Sequence, residues 1–205
     1  MHDARVLAPP LVSAEAVPAR SDDDLVHQAR AGEAEAREEL ARRFREPAYV
    51  LALQLLGNRD DAFDVAQESM LRVFAGLGQF TSGRPLRPWV LAIVRNQAHD
   101  LWRRKRVRRA ESIDSAEDGL AIELADTAPD PEQAASRRQL RRRVWRAMSA
   151  LSVDHREVIV LRDFHGLSYA EIAQLLSIKS GTVMSRLHGA RAQLRSLLTR
   201  ETHHA

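Results

Sequence analysis

Residues 167–194 read LSYAEIAQLLSIKSGTVMSRLHGARAQL, and this stretch decides the fold. Gly166 can end a preceding helix in the left-handed conformation, and Ser168 with Glu171 three residues on forms a capping box that starts the next one. Ile172, Leu175 and Leu176 give that short helix an apolar side, and Ala173 is small enough for a second helix to cross closely over it. The turn falls near residues 177–180. From there Val183, Leu187, Ala190 and Leu194 recur at spacings of four, three and four, one narrow stripe of a helix. The opposite side carries Gly181, Ser185, His188 and Gly189, with Ser180, Thr182, Met184, Arg186, Arg191 and Arg195 around it. This is the pattern of a helix-turn-helix. Small polar groups on its second helix can approach base edges in a major groove while arginines reach phosphates. A plain helical hairpin with solvated arginines would need none of the agreement among cap, breaker glycine, crossing alanine and polar face.

Composition sets the frame around that motif. The chain has 205 residues, 44% of them hydrophobic, which suits two small helical domains. Lys105 and Lys179 are the only lysines, so arginine supplies nearly all positive charge, as bidentate phosphate or guanine contacts would favour. A formal charge of +3 is modest, and its clustering matters more. Without cysteines there are neither disulfides nor thiolate metal sites. No apolar run approaches membrane-spanning length, and Asp3, Arg5 and three prolines interrupt the first twenty residues where a signal peptide needs an apolar core. A cytoplasmic protein with no membrane insertion is the expectation.

Upstream, residues 1–20 are Ala- and Pro-rich and read as a disordered arm. Ser21 followed by Asp22, Asp23 and Asp24 starts a short helix that ends at Gly32. A second helix carries Ala36, Leu40 and Phe44; Pro47 is expected to open a third, apolar almost all round through Leu56, closed by Gly57. Asn58 or Asp60 caps the next helix, with Asp61, Asp64, Gln67 and Glu68 along one side and Val65, Leu71 and Phe74 along others. Such an acidic side is either a solvated face or a dock for a basic partner helix.

Gly76, Gly78, Gly83, Pro85 and Pro88 then mark a loop containing Phe80, Thr81, Ser82 and Arg84. The helix that follows, beginning near Trp89, turns Val90, Val94, Gln97 and Leu101 inward. Arg95, Asn96, His99, Trp102, Arg103 and Arg106 occupy its outer half. An aromatic among arginines suits single-stranded nucleic acid, with cations tracking the backbone and a ring receiving a base. Trp102 also fits ordinary packing against a neighbouring helix. Between Glu111 and Glu132 there are eight acids and no Lys or Arg, so residues 110–135 read as an acidic linker. A second domain follows over residues 136–200, with Leu140, Val144, Met148 and Leu151 inside its first helix, a further helix from about Asp154 to Phe164, and residues 201–205 as a tail.

Taken in order, these residues resemble a bacterial sigma factor of the extracytoplasmic-function group of the sigma-70 family, over roughly residues 21–200. REVIVLRDFHGLSYAEIAQLLSIKSGTVMSRLHGARAQL resembles the promoter-reading domain four, with GTVMSRL and ALSVDHREVIVLR as its specific marks. DDAFDVAQESMLRVF resembles the helix that grips the polymerase clamp, and RPWVLAIVRNQAHDLWRR the segment that melts and reads the downstream element. The resemblance implies an all-α fold with region 2 over residues 21–109 and region 4 over residues 136–200. It implies that Asp61, Asp64, Gln67 and Glu68 bind the beta-prime clamp coiled coil of core RNA polymerase, and that the beta flap is a second contact. Phe80, Thr81, Ser82, Arg84, Arg95, Asn96, His99, Trp102 and Arg103 would then meet the −10 element, with Asn96 and the loop over residues 80–86 at a flipped-out base. Ser180, Thr182, Met184, Ser185, Arg186, His188 and Arg191 would meet the −35 element. Met184 and Gly189 stand where relatives often carry a basic contact, a departure that bears on promoter sequence.

An anti-sigma factor is implied as a further partner, since the chain shows no cysteine, receiver pattern or ligand-sized domain that would act as a switch. A response-regulator type of transcriptional regulator is the competing expectation, and would need alternating strands and helices in the first half. The histidines are scattered with no HExxH, so no catalytic residues, metal site or cofactor are expected.

Overall fold

The computed structural model describes residues 20–111 and 131–202. Residues 1–19, 112–130 and 203–205, which carry most of the expected arm, linker and tail, lie outside the described residues. Among the described residues there are helices and no strands, in the order α1 (Asp22–Arg30), α2 (Ala34–Leu56), α3 (Arg59–Gly76), α4 (Leu86–Glu111), α5 (Pro131–Ser149), α6 (Val153–Ile159), α7 (Tyr169–Leu176) and α8 (Ser180–Thr202). That is the all-α architecture the patterning implies, and it leaves no place for a strand-helix receiver in the first half.

Helix α2 corrects the expected break at Pro47. Proline removes one backbone bond and crowds the preceding turn, a cost of about 3 kcal/mol. Here, however, Leu40, Phe44, Ala48 and Leu51 are buried on one side across the proline, and their burial holds the helix continuous. Two further boundaries move for a related reason. Helix α4 begins at Leu86, not near Trp89, and takes Pro88 into its first turn, where a missing N–H has no intrahelical partner to lose. Helix α5 begins on Pro131, the first-turn position that proline favours. Asn58, not Asp60, caps α3 by accepting from the Asp61 N–H at 3.0 Å.

Helices α1 to α4 pack around Leu25, Val26, Leu40, Leu51, Val73, Val90 and Leu91, all buried. Helices α5 to α8 pack around Met148, Leu151, Val158, Ile159, Ile172, Val183 and Leu187. Leu140 is exposed instead of inside, so Val144 and Met148 carry the packing of α5, with Leu151 buried just past its end. The chain does not leave α6 by simple termination: residues Val160–Phe164 form a π-helical turn that continues it to His165 and Gly166. Such one-turn π segments recur at functional sites. The second group lies directly on the first, with α7 against α4 and α6 against α2.

Candidate nucleic-acid interface

The helix-turn-helix is built by local chemistry. Glu171 donates its backbone N–H to the Ser168 hydroxyl at 3.2 Å, and the Glu171 carboxylate accepts the Ser168 N–H at 2.7 Å. Gly166 sits at φ 71° and Ser177 at φ 55°, the left-handed positions that end the flanking helices. Val183, Leu187 and Ala190 are buried, which turns Ser180, Ser185 and His188 outward. Met184 is 57% exposed on that same face. Thr182 is half-buried at its edge.

Two of the three arginines that the sequence puts at phosphates on this helix, Arg186 and Arg191, have acidic partners within their own half. Arg186 pairs with Asp154 at 2.7 Å. Arg191 donates to Asp163, Nε to Oδ2 at 3.2 Å, and that hydrogen bond holds its guanidinium above the usual arginine range. Gly189 is not on the outward face: a side chain there would meet the His155 ring at 3.5 Å, and that ring is in turn held by Gln193 at 2.9 Å. Gly181 has open space beyond it and remains on the outer side.

Helix α4 places its residues differently. Val90, Val94 and Gln97 are buried as the periodicity implies. Asn96 is exposed. Trp102 is 43% exposed with the Arg106 guanidinium 5.5 Å above its ring, so it is not a packing residue between helices. Arg103 pairs with Asp100 and lowers that carboxyl below its ordinary range. Arg95 and His99, in contrast, are half-buried beneath α6. Arg95 donates to both carboxylate oxygens of Glu157, at 2.8 Å and 3.2 Å, and His99 makes a third contact to the same group.

The loop between α3 and α4 presents Thr81, Ser82 and Arg84 to solvent. Phe80 corrects the sequence expectation of a base contact: it is 5% exposed, its ring tilted against Trp89 at 5.1 Å, where it anchors the loop from beneath. Two residues of α1, to which the sequence assigns no part in this loop, shape it. Arg30 donates Nε to the Leu77 carbonyl at 2.8 Å and Nη1 to Ser82 at 3.3 Å, and also reaches the Phe80 carbonyl. Asp23 accepts the N–H of Gly83 at 3.1 Å, with that glycine at φ 81°. The triple aspartate signals only a helix start in sequence; nothing local foretells its reach to a loop sixty residues away.

On α3, Asp64, Gln67 and Glu68 are exposed along one side, Glu68 paired with Arg72 at 2.9 Å. Asp61 is not part of that free face: it is tied to Lys105 of α4. Leu71 is 66% exposed, and Phe63 also projects beside the acids. The stripe is therefore mixed, two large apolar groups among carboxylates and an amide. Among the described residues no group of three or more His, Asp and Glu is placed to hold a metal, and no helix is long and apolar enough to cross a membrane.

Two separate helices, α4 and α8, thus carry outward polar or cationic faces, and α3 offers an exposed acidic and apolar stripe, all on an all-α frame. The family model for Sigma-70 region 2 matches residues 40–108, and that for Sigma-70, region 4 matches residues 141–194. The chain belongs to the sigma-70 family, in its extracytoplasmic-function group of RNA polymerase sigma factors. It is 35% identical over 165 residues to the ECF RNA polymerase sigma factor SigE of Mycolicibacterium smegmatis, a match that covers 80% of this chain and 62% of that relative's length. It is 33% identical over 179 residues to the ECF RNA polymerase sigma factor SigM of Mycobacterium tuberculosis, covering 87% of this chain and 85% of the relative. Among solved structures it is similar to the sigma factor RpoE in complex with the anti-sigma factor NepR from Bartonella quintana, with TM-score 0.68 and 25% identity, covering 79% of this chain and 96% of that one.

Proposed function

We propose that this sigma factor grips core RNA polymerase in the cytoplasm through the exposed stripe of α3 and reads promoter DNA with α4 and α8. The observation that carries the reading is the mixed stripe itself. Asp64, Gln67 and Glu68 offer charge to the basic beta-prime clamp coiled coil, and Phe63 and Leu71 supply the apolar area that a stable interface needs. Asp61, held by Lys105, fixes α3 on α4. Residues 21–109 and 136–200 act as the two functional domains on either side of the linker, and the second also meets the beta flap.

At the −35 element, Ser185 and His188 read base edges, with Ser180, Thr182 and Met184 beside them. Arg186 and Arg191, steadied by Asp154 and Asp163, contact the DNA backbone. At the −10 element, Thr81, Ser82 and Arg84 of the loop and Asn96, Trp102 and Arg103 of α4 contact the strand, with Arg95 and His99 on the covered side of α4. Phe80 supports the loop. An anti-sigma factor of the kind seen on RpoE would restrain the protein by covering the α3 stripe and the second domain.

The test is core binding by the Asp64→Arg, Glu68→Arg double variant. Both positions are exposed, so the fold should survive, and affinity for core polymerase should be lost. Unchanged affinity contradicts the docking assignment.

A further inference from the structure

Glu157 is 2% exposed, and buried carboxylates persist when they are paired. Its described partners, Arg95 and His99, both lie on α4 of the other half of the chain. Within its own half it neither caps α6, which Ser152 does, nor fills the core, which Val158 and Ile159 do. Around it the contact is sealed. Arg156 donates to the Leu55 carbonyl of α2 at 3.4 Å while also bonding the Met148 and Ser149 carbonyls at 3.0 Å and 2.7 Å. His165, past the π turn, meets the buried Gln54 amide at 3.1 Å.

The fork of Arg95 that takes two oxygens of Glu157 is the same geometry by which a guanidinium takes two oxygens of a phosphodiester. Arg95 sits one residue before exposed Asn96 and about two helical turns before Trp102 and Arg103, on the half of α4 that the proposed function gives to melted DNA. We propose that Arg95 and His99 form a phosphate site for the single strand, and that in the free protein Glu157 occupies this site in cis. The inference rests on that assignment of α4. Binding of the strand and closure of the second domain are then mutually exclusive. One charge-assisted set of bonds replaces another, so the closed form is held by a margin that DNA can overcome.

Spacing along DNA requires the same opening. Elements about 25 base pairs apart lie roughly 80 Å apart on B-form DNA. A domain of about 90 residues has a radius of gyration near 12 Å, so two domains packed face to face do not span them.

The absence of cysteine in the chain makes the test direct. Glu38→Cys and Ser196→Cys, both at exposed positions, carry a donor and an acceptor dye in the full-length protein. The probe is a single-stranded DNA oligonucleotide of −10 sequence, followed by energy transfer and by anisotropy. Glu157→Gln, isosteric but uncharged, should lengthen the interdye distance and tighten strand binding by roughly tenfold or more. Saturating strand should lengthen the distance in the protein with native Glu157, a measurement that needs no change at the latch. If the strand binds both proteins equally, or binds without any change in distance, occupation in cis is overturned while α4 remains a DNA contact. If the strand binds neither protein, alone or on core polymerase, the assignment of α4 itself falls and the inference with it. Arg95→Ala placed on Glu157→Gln should remove the gained affinity, and a gain that persists would overturn the role of Arg95.

Discussion

Helices α4 and α8 both set arginines and polar residues opposite an apolar stripe, yet one outer face is covered and the other is open. On α8, Ser185 and His188 face solvent, and Arg186 and Arg191 are steadied by Asp154 and Asp163 from the same half of the chain. On α4, Asn96 and Trp102 are exposed while Arg95 and His99 lie under Glu157 from the other half. Period and residue type decide which side of a helix is apolar. They do not decide what meets the polar side.

The contrast breaks most severely if the support of the open face is removed. Leu187→Ala empties a buried position beneath α8 and should cost about 2 to 5 kcal/mol, read by chemical denaturation. Duplex binding at the −35 element should fall with it, and the single-strand contact of α4 should survive. Loss of both together would mean that the two faces are not independent.

Acid should act on the covered face alone. Burial first, then the nearby charge of Arg87, pushes His165 down to about 4. In the opened chain the imidazole protonates near its ordinary value, about 6.5, while in the closed form it stays neutral until about 4. Closure is therefore fully stable above pH 6.5 and loses up to roughly 3 kcal/mol as pH falls from 6.5 to 4. Across that window burial alone would raise Glu157, but its bonds from His99 and Arg95 outweigh this and hold it below the ordinary carboxyl range. Interdye distance should rise between pH 7 and pH 5 in the native sequence and stay flat in His165→Gln. A flat native profile would refute the part given to His165.

Base preference sharpens the open face. His188→Ala should change selectivity at one or two base pairs of the −35 element by about 1 to 3 kcal/mol, measured by competition among duplex variants. Arg191→Ala should weaken all sequences alike, and equal uniform losses from both changes would argue against separate roles. The smallest effect is expected at the cap: Ser168→Ala removes one half of the box and should cost about 1 kcal/mol of thermal stability without changing base preference.

Where structure is made by neighbours in sequence, it was readable in advance. Ser168, Glu171, Gly166 and the stripe Val183, Leu187, Ala190 all act within a few residues, and each stands where the pattern implies. Pro47 was misleading because tertiary burial on both sides of it outweighs a local rule. Phe80 was misplaced, buried against Trp89 where a base contact is expected, because a loop does not follow helical period. Glu157 was invisible as a site: its REVIVLR context looks like ordinary amphipathic helix, and its partners lie 58 and 62 residues away.

The measurement that bears hardest on closure is the distance between dyes at positions 38 and 196 in the free chain and on core polymerase. A short distance in the free protein that becomes long in the complex is the expected result. A free chain whose distance is already long, and does not change when polymerase binds, would contradict a covered α4.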